Sequence, residues 1–596
     1  MRKVSHRRHG RSASVALLAV TALTAAACST SSGSGSNGAT SARAQEVIFQ
    51  IASGPVENPK LMNPFLPSSR NDTGLKSAAI EPLFLMNVEN GKIVPWLATS
   101  MTSSPDLTHW TMHLRPGVKW SDGVPFTSAD VVFTMQMLIT HDGLVGASAL
   151  AQYIKTVTAP DKLTVDFTLK QPDPRFQLDF FTSQVSGVSP NYIVPKHVWQ
   201  GQNPMTFTNY DPAKGWPVFT GPYKLKSISA STFVWTRDSN WWGAKTGFMP
   251  LPKPKTLVWQ AFGSDQTATQ AMADHQLDSL MDQEAPTYEA LKNQNPDVVA
   301  WQPKSPYLWQ DPCEMNLEVN NAIAPWNNPQ MRWALNFALN RNLIVSEAQS
   351  GASQPSKSIY PAYPAMNKYV NLADGAGLYQ KYPLTTYDPS KTKQILQAQG
   401  YVKKGSYYSK DGKTLSLVIE EDQPTLQDVR LGEVVAQQLQ AVGINATTHN
   451  VSETTWIDDY DLGHFEAQVT NSTCNSVVEP WESLETLNQQ FYVPVGKATD
   501  WGFNGVRFKN AAYSHIVDQL GALPLNSPQV NTLFLQAWGI FLKELPVIPL
   551  VQNRKIIPFD TKYWTGWPTL ADPYIQPATW WQSTHLILEH LQPAGS

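Results

Sequence analysis

A single hydrophobic core stops growing at about 250 to 300 residues, and this chain runs to 596. Length alone therefore demands at least two packed lobes. After Leu23 no apolar run is long enough to cross a bilayer. The lobes must then be built from short strands and amphipathic helices, each hiding one face.

The first residues carry Arg2, Lys3, Arg7, Arg8 and Arg11, then an apolar stretch from Val15 to Leu23, then Thr24-Ala25-Ala26-Ala27-Cys28. This reads as a signal peptide over residues 1–27 whose apolar core is too short to remain as a span. Cys28 directly after small residues resembles a bacterial lipobox, which implies a diacylglycerol on that cysteine. The lipobox position usually held by Leu is Ala25 here. Residues 29–44 are almost all Ser, Gly, Thr, Asn and Ala, so residues 28–45 are expected to be a lipidated end and a flexible tether. The whole chain has 45 Lys and Arg against 48 Asp and Glu; removing 1–27 takes five of the former and none of the latter, so the net charge falls from −3 to −8. Such a surface does not suit nucleic acid.

The chain has three cysteines. With Cys28 given to lipid, Cys313 and Cys474 either form one disulfide in an oxidising compartment or stay as separate thiols. They show no CxxC or His spacing that would build a zinc site.

Between the tether and the C-terminus, strand-like and helix-like stretches alternate, which predicts α/β lobes. Glu46 to Ala52 is a strand pattern, and Asp106 to Arg115 alternates into a second strand on which His109 and His113 share a face. Asn328 to Leu343 predicts one amphipathic helix with Met331, Leu335 and Leu339 inward. Two further helices end at Gly400 and Gly443, read as C-cap glycines. The run Val118 to Phe133 (VKWSDGVPFTSADVVF) predicts a strand, the turn Ser121-Asp122-Gly123, and a helix capped by Thr127 with Asp130 at N3.

The spelling of that run resembles the signature segment of the family 5 solute-binding proteins, extracytoplasmic receptors of peptide, nickel and oligosaccharide ABC importers. Trp120, Asp122 and Pro125 are expected to build a corner rather than touch ligand. Other segments share the resemblance: Leu61 to Phe65, Phe219 to Tyr223, Asp238 to Trp242, Met331 to Leu335 with Asn340-Arg341, and Leu545 to Leu550. The resemblance implies a two-lobed, Venus-flytrap α/β fold of the large peptide-binding type. Lobe 1 would take 46–85, 205–310 and 556–596, an accessory domain 86–204, and lobe 2 311–555, with the first crossing near Pro312 to Asn320. It also implies lobe closure over a ligand and delivery to permease subunits with an associated ATPase. A monomer is expected, attached to the outer face of the membrane through lipid only.

In peptide-binding relatives a cleft strand carries an aspartate that pairs with the ligand amine. The matching stretch here is Gln468 to Trp481, with Ser476 at the aspartate's place and Glu479-Pro480 as the acidic-Pro pair. An ammonium buried without a carboxylate would cost several kcal/mol. Asn471, Ser472, Thr473, Asn475 and Ser476 instead offer neutral donors and acceptors, which with the flanking Trp456 and Trp481 suit a glycan. Asn553 after the late strand, and Asn63 and Phe65 from lobe 1, complete the expected ligand set. Family frequency favours an oligopeptide; the neutral cleft strand favours an oligosaccharide.

The competing reading is a secreted glycan-active hydrolase, suggested by 21 Trp. It needs two carboxylates across a bond, and the adjacent Glu420, Glu421 and Asp422 read as a solvated strand end. No nucleophile elbow, His-Glu-x-x-His pair or phosphate loop is present. No enzymatic activity, cofactor or metal is expected, and nickel least of all, because no His cluster approaches the expected cleft.

Overall fold

The computed structural model describes residues 43–51, 54–66, 74–183, 192–422, 426–470, 476–499, 503–581 and 583–595. Residues from Arg43 onward form one compact unit. Its strands fall into several separate sheets. In the first lobe, Glu46–Gln50 pairs in parallel with Thr256–Gln260, which is followed by the antiparallel strands Thr232–Arg237 and Tyr223–Ile228. Val47, Phe49, Leu257, Trp259, Phe233 and Trp235 alternate inward and are buried, as a period of two requires.

The accessory module is a four-stranded antiparallel sheet in the order Ala98–Ser103, His109–Leu114, Thr164–Leu169, Ile154–Asp161. Trp110, Met112 and Leu114 point inward while His109 and His113 are exposed, so that strand needs no metal. The helix Ser128–Ile139 begins with the expected capping box, the Thr127 amide donating to Asp130 Oδ2 at 2.8 Å. Trp120 is buried, and Asp122 pairs with His197 at 2.6 Å.

The second lobe holds a five-stranded mixed sheet ordered Asn445–Val451, Ser416–Asp422, Ala467–Thr470, Met315–Val319, Val547–Val551. Leu417, Ile419, Val469, Leu317 and Val319 supply apolar core, and the helices Leu426–Ala441 and Arg341–Ala348 pack on this sheet. The alternate positions are polar: Glu420 lies opposite Gln468, Gln468 opposite Glu318, and Thr470 opposite Asn316. All five are buried. Glu420, Glu421 and Asp422 are thus not a solvated strand end; the strand lies inside the sheet, and the Glu421 carboxyl sits against Gly432 of the covering helix.

Two boundaries differ from the sequence reading. Asn328 to Leu343 is two helices, Pro329–Ala338 and Arg341–Ala348, because the Asn340 side chain accepts from the Leu343 amide and caps a new start. The crossing between lobes lies earlier than Pro312: Trp309–Gln310 pairs with Arg554–Lys555, and Met315–Val319 already belongs to lobe 2. Gly400 and Gly443 hold φ of 85° and 96°, as cap glycines do.

Arg332 pins the return into the last lobe 2 strand. Its buried guanidinium donates to the Trp326, Glu544 and Leu545 carbonyls at 2.5 to 3.2 Å, where Leu545 holds a left-handed φ of 48°. Replacing Arg332 with Ala is expected to lower stability by about 3 kcal/mol, read as a shifted urea midpoint; a midpoint unchanged within error would refute this role.

Candidate ligand-binding cleft

The crossing strands gather charge. Gln310 Nε2 donates to the Asn553 carbonyl at 3.0 Å and to Glu314 Oε1 at 3.1 Å, and the Asp311 amide donates to the same Asn553 carbonyl. Gln427 Nε2 donates to Asn553 Oδ1 at 3.2 Å. Lys555 Nζ stands 3.6 Å from Asp282 and 3.9 Å from Asp311. The Lys555 and Asp282 side chains keep 22% and 30% exposure, so neither is sealed from solvent.

Carboxylates outnumber cations here, since Asp282, Asp311, Glu314 and Asp428 surround Lys555 and Arg554. Burial pushes Asp311 up to about 6, with Lys555 opposing the shift. Burial, reinforced by the charge of Asp422, pushes Asp428 up to about 7. Burial and the neighbouring Asp311 hold Glu314 well above the carboxylate range, and its Oε2 has no hydrogen-bond partner. Burial would depress Lys555, but Asp282, Asp311 and Asp428 outweigh it and raise its pKa.

A second polar zone lies on the lobe 2 sheet. Gln468 Nε2 donates to Glu420 Oε2 and to the Trp456 carbonyl, each at 3.1 Å, and Tyr460 donates to Glu318 at 2.7 Å. Gln468 Oε1, Thr470 Oγ1, Asn316 Oδ1 and the Trp456 indole N–H are buried without partners. Four unmet groups beside the expected cleft strand are costly unless something polar reaches them.

The expected ligand set is only partly brought together. Asn553 sits at the crossing and Trp456 beside Gln468. Asn471, Ser472, Thr473, Cys474 and Asn475 lie outside the described residues, as does Cys28. Cys313 is disulfide-bonded. Ser476 is buried and forms reciprocal bonds with Ser483, its amide donating to Ser483 Oγ and its Oγ accepting from the Ser483 amide. The Trp481 indole donates to the Val517 carbonyl while its face carries the Arg175 guanidinium at 4.5 Å. Asn63 is fully buried, donating to the Pro204 and Phe207 carbonyls, and Phe65 packs edge-on against Trp199. Ser476, Trp481, Asn63 and Phe65 are thus each engaged by other parts of the chain. The sequence reading missed Asp282, Asp311, Glu314, Asp428 and Lys555. Asp311 adjoins the predicted crossing and Glu314 lies within it, but nothing local marks Asp282, Asp428 and Lys555 as their neighbours.

Residues 92–492 match the model of the bacterial extracellular solute-binding proteins, family 5. The chain belongs to that family. Among curated relatives, the glutathione-binding protein GsiB of Salmonella paratyphi A is 27% identical over 530 residues, covering 85% of this chain and 90% of that protein. The GsiB protein of Escherichia coli K12 is 26% identical over 523 residues, covering 85% and 90%. Among solved structures, a mannohexaose-bound periplasmic oligopeptide-binding protein of Thermotoga maritima superposes with TM-score 0.74 at 24% identity, covering 93% of this chain and 99% of that one. The nonapeptide complex of AppA from Bacillus subtilis gives 0.66 at 18%, covering 92% and 99%.

The α/β chain thus has the two-lobed fold of the ABC-importer binding proteins, and nothing supports the hydrolase alternative. Among the described residues, His275, Asp297 and Asp560 have ligand atoms within 4.8 Å of one another. However, Asp560 Oδ2 is already held by His275 Nδ1 at 2.7 Å and by the Asn295 amide at 3.0 Å, and Lys562 stands 3.9 Å from Asp297. That group is a hydrogen-bonded cluster with its own cation.

Buried carboxyls give this family 5 protein an unusual pH response. Glu81, Glu89, Asp428, Glu482 and Glu485 are each held up to about 7, with burial the largest cause. A carboxyl whose pKa is higher folded than unfolded contributes stability that is fully present below the unfolded pKa, near 4, and is lost as pH rises through the folded one. The melting temperature is therefore expected to fall between pH 5 and pH 8 in scanning calorimetry; a rise over that range would contradict these assignments.

Proposed function

We propose that this protein is a lipid-anchored, monomeric receptor that closes its lobes over a short peptide-type ligand bearing an ammonium group and hands it to a membrane permease. The observation that carries the ligand class is the surplus of carboxylates around Lys555, with Asp282 open to solvent at the lobe junction. That surplus supplies the counter-charge that Ser476 lacks, so the absence of an aspartate there no longer weighs against an amine. The glutathione-binding relatives agree with a small peptide-type ligand. A neutral oligosaccharide is the second reading, favoured by the unpartnered Trp456, Gln468 and Thr470 groups and by the mannohexaose bound to the Thermotoga relative.

The two readings separate by titration. Asp311 and Asp428 gain protons as pH falls through 7 and 6, which removes negative charge that a cation needs. Calorimetric affinity for a di- to penta-peptide is expected to drop over that interval, and Asp428→Asn to weaken it about tenfold at pH 8. Binding of cello- or manno-oligosaccharides with no pH dependence, and none of peptides, would sink the peptide reading.

Lipid attachment at Cys28 follows from the lipobox-like segment, and pairing of Cys313 with Cys474 follows from there being three cysteines in all. Labelled palmitate should enter the wild-type protein and not Cys28→Ala. Non-reducing peptide mapping should recover Cys313 joined to Cys474; a Cys28 peptide joined to Cys313 would overturn both assignments.

A further inference from the structure

Arg175 begins the helix Phe176–Phe181 of the accessory module, yet its side chain is committed to the second lobe. Its Nε donates to Glu479 Oε1 at 2.8 Å and a terminal nitrogen to Glu479 Oε2 at 3.3 Å. The other terminal nitrogen reaches the Gly521 and Leu523 carbonyls at 2.5 and 3.3 Å. The guanidinium lies 4.5 Å over the Trp481 ring. Only 2% of the Arg175 side chain is exposed, so all this binding was built at the cost of desolvating a full charge.

No covalent connection accounts for this contact. The chain passes between lobe 1 and lobe 2 at Trp309–Gln310 and Arg554–Lys555, and the accessory strands are flanked in sequence by lobe 1 strands. Among the described residues the accessory module reaches lobe 2 through the Arg175 fork and at Gly91, where an added Cβ would stand 3.3 Å from a Val478 methyl and 3.7 Å from Ala365 Cβ. Interfaces this polar are the kind across which domains move. Asp179 and Glu482 beside the fork are only partly buried, so water reaches its edge.

The surroundings make the contact all-or-none. Asp173, Asp179, Glu479, Glu482 and Glu485 all act electrostatically with Arg175, alongside Tyr153 and Tyr369. With Arg175 in place the carboxylates have a shared counter-ion. With Arg175 withdrawn, Asp173 and Asp179 on one side and Glu479, Glu482 and Glu485 on the other oppose one another across the gap. The fork engages Glu479 and two carbonyls together, so the full set of bonds forms only with the two modules in this arrangement. Five residues separate Thr470, the end of a central lobe 2 strand, from Ser476, and Glu479 and Trp481 follow at once. The contact is therefore tied to the expected cleft strand by the chain itself.

We propose that Arg175 is a latch: it holds the accessory module against lobe 2 in the closed receptor, favours closure even without ligand, and so sets affinity as a positioning residue that touches no ligand. This rests on the two-lobed receptor fold and not on which ligand is bound, so it can be tested without one. Spin labels at Lys155→Cys in the accessory sheet and Gln529→Cys in lobe 2, both exposed positions, report the separation by double electron-electron resonance on protein stripped of ligand by unfolding and refolding. The otherwise wild-type protein is expected to give one short distance. Arg175→Gln is expected to add a longer, broader component while near-ultraviolet circular dichroism stays native. Glu479→Gln, which keeps the shape and loses the charge, is expected to do so more weakly, and it decides the matter if Arg175→Gln does not fold. An unchanged distance in the folded variants would make the contact permanent cement and overturn the latch. A long distance already present without substitution would overturn it equally.

Discussion

The structure depends on one short crossing, in which Trp309–Gln310 pairs with Arg554–Lys555. Two residues on each strand join two large lobes, so the peptide groups there must hold position without a sheet on either side. They do so through Gln310 and Asn553, whose side chains and carbonyls replace the missing ladder. The same strands bring Asp311 and Lys555 to the junction. Crossing and charge are therefore one feature: Asp282 and Asp428 both stand beside Lys555.

Charge placement is what favours a ligand with an ammonium group in the proposed reading. The sequence argument turned on Ser476, which stands where an amine-binding aspartate is expected. In the folded chain Ser476 is engaged in reciprocal bonds with Ser483, so its neutrality says little about ligand charge. In the proposed reading the counter-charge comes instead from Asp282, Asp311 and Asp428, which only folding brings around Lys555. Burial raises the pKa of each of those carboxyls. The unpartnered groups around Gln468 and Trp456 give the same cleft a hydrogen-bonding wall, and a peptide amide or a sugar hydroxyl could satisfy it.

Tryptophan illustrates how composition misleads. Twenty-one indoles suggest carbohydrate stacking, yet most named ones are internal. Trp96 and Trp242 both donate to the buried Glu81, Trp309 to Glu89, and Trp481 supports Arg175. Large rings fill the junctions between modules because few other side chains cover so much area while still offering a hydrogen-bond donor.

Local physics was legible in the sequence wherever neighbours in the chain do the work. The Thr127 capping box, the exposed His109 and His113 on an alternating strand, the cap glycines 400 and 443 and the need for two lobes all follow from spacing and length. The motif order likewise pointed to the family before any contact was known. Tertiary structure alone decided the rest. It buried Glu420 to Asp422 inside a sheet, ended one helix at Ala338 and began another after Asn340, engaged Asn63, Phe65, Ser476 and Trp481 in contacts within the chain, and set Asp282, Asp311, Asp428 and Lys555 together. The reason is physical: a cap or a turn is fixed by residues a few positions apart, whereas the charge of a cleft and the grip of Arg175 on Glu479 depend on segments that only folding brings within reach.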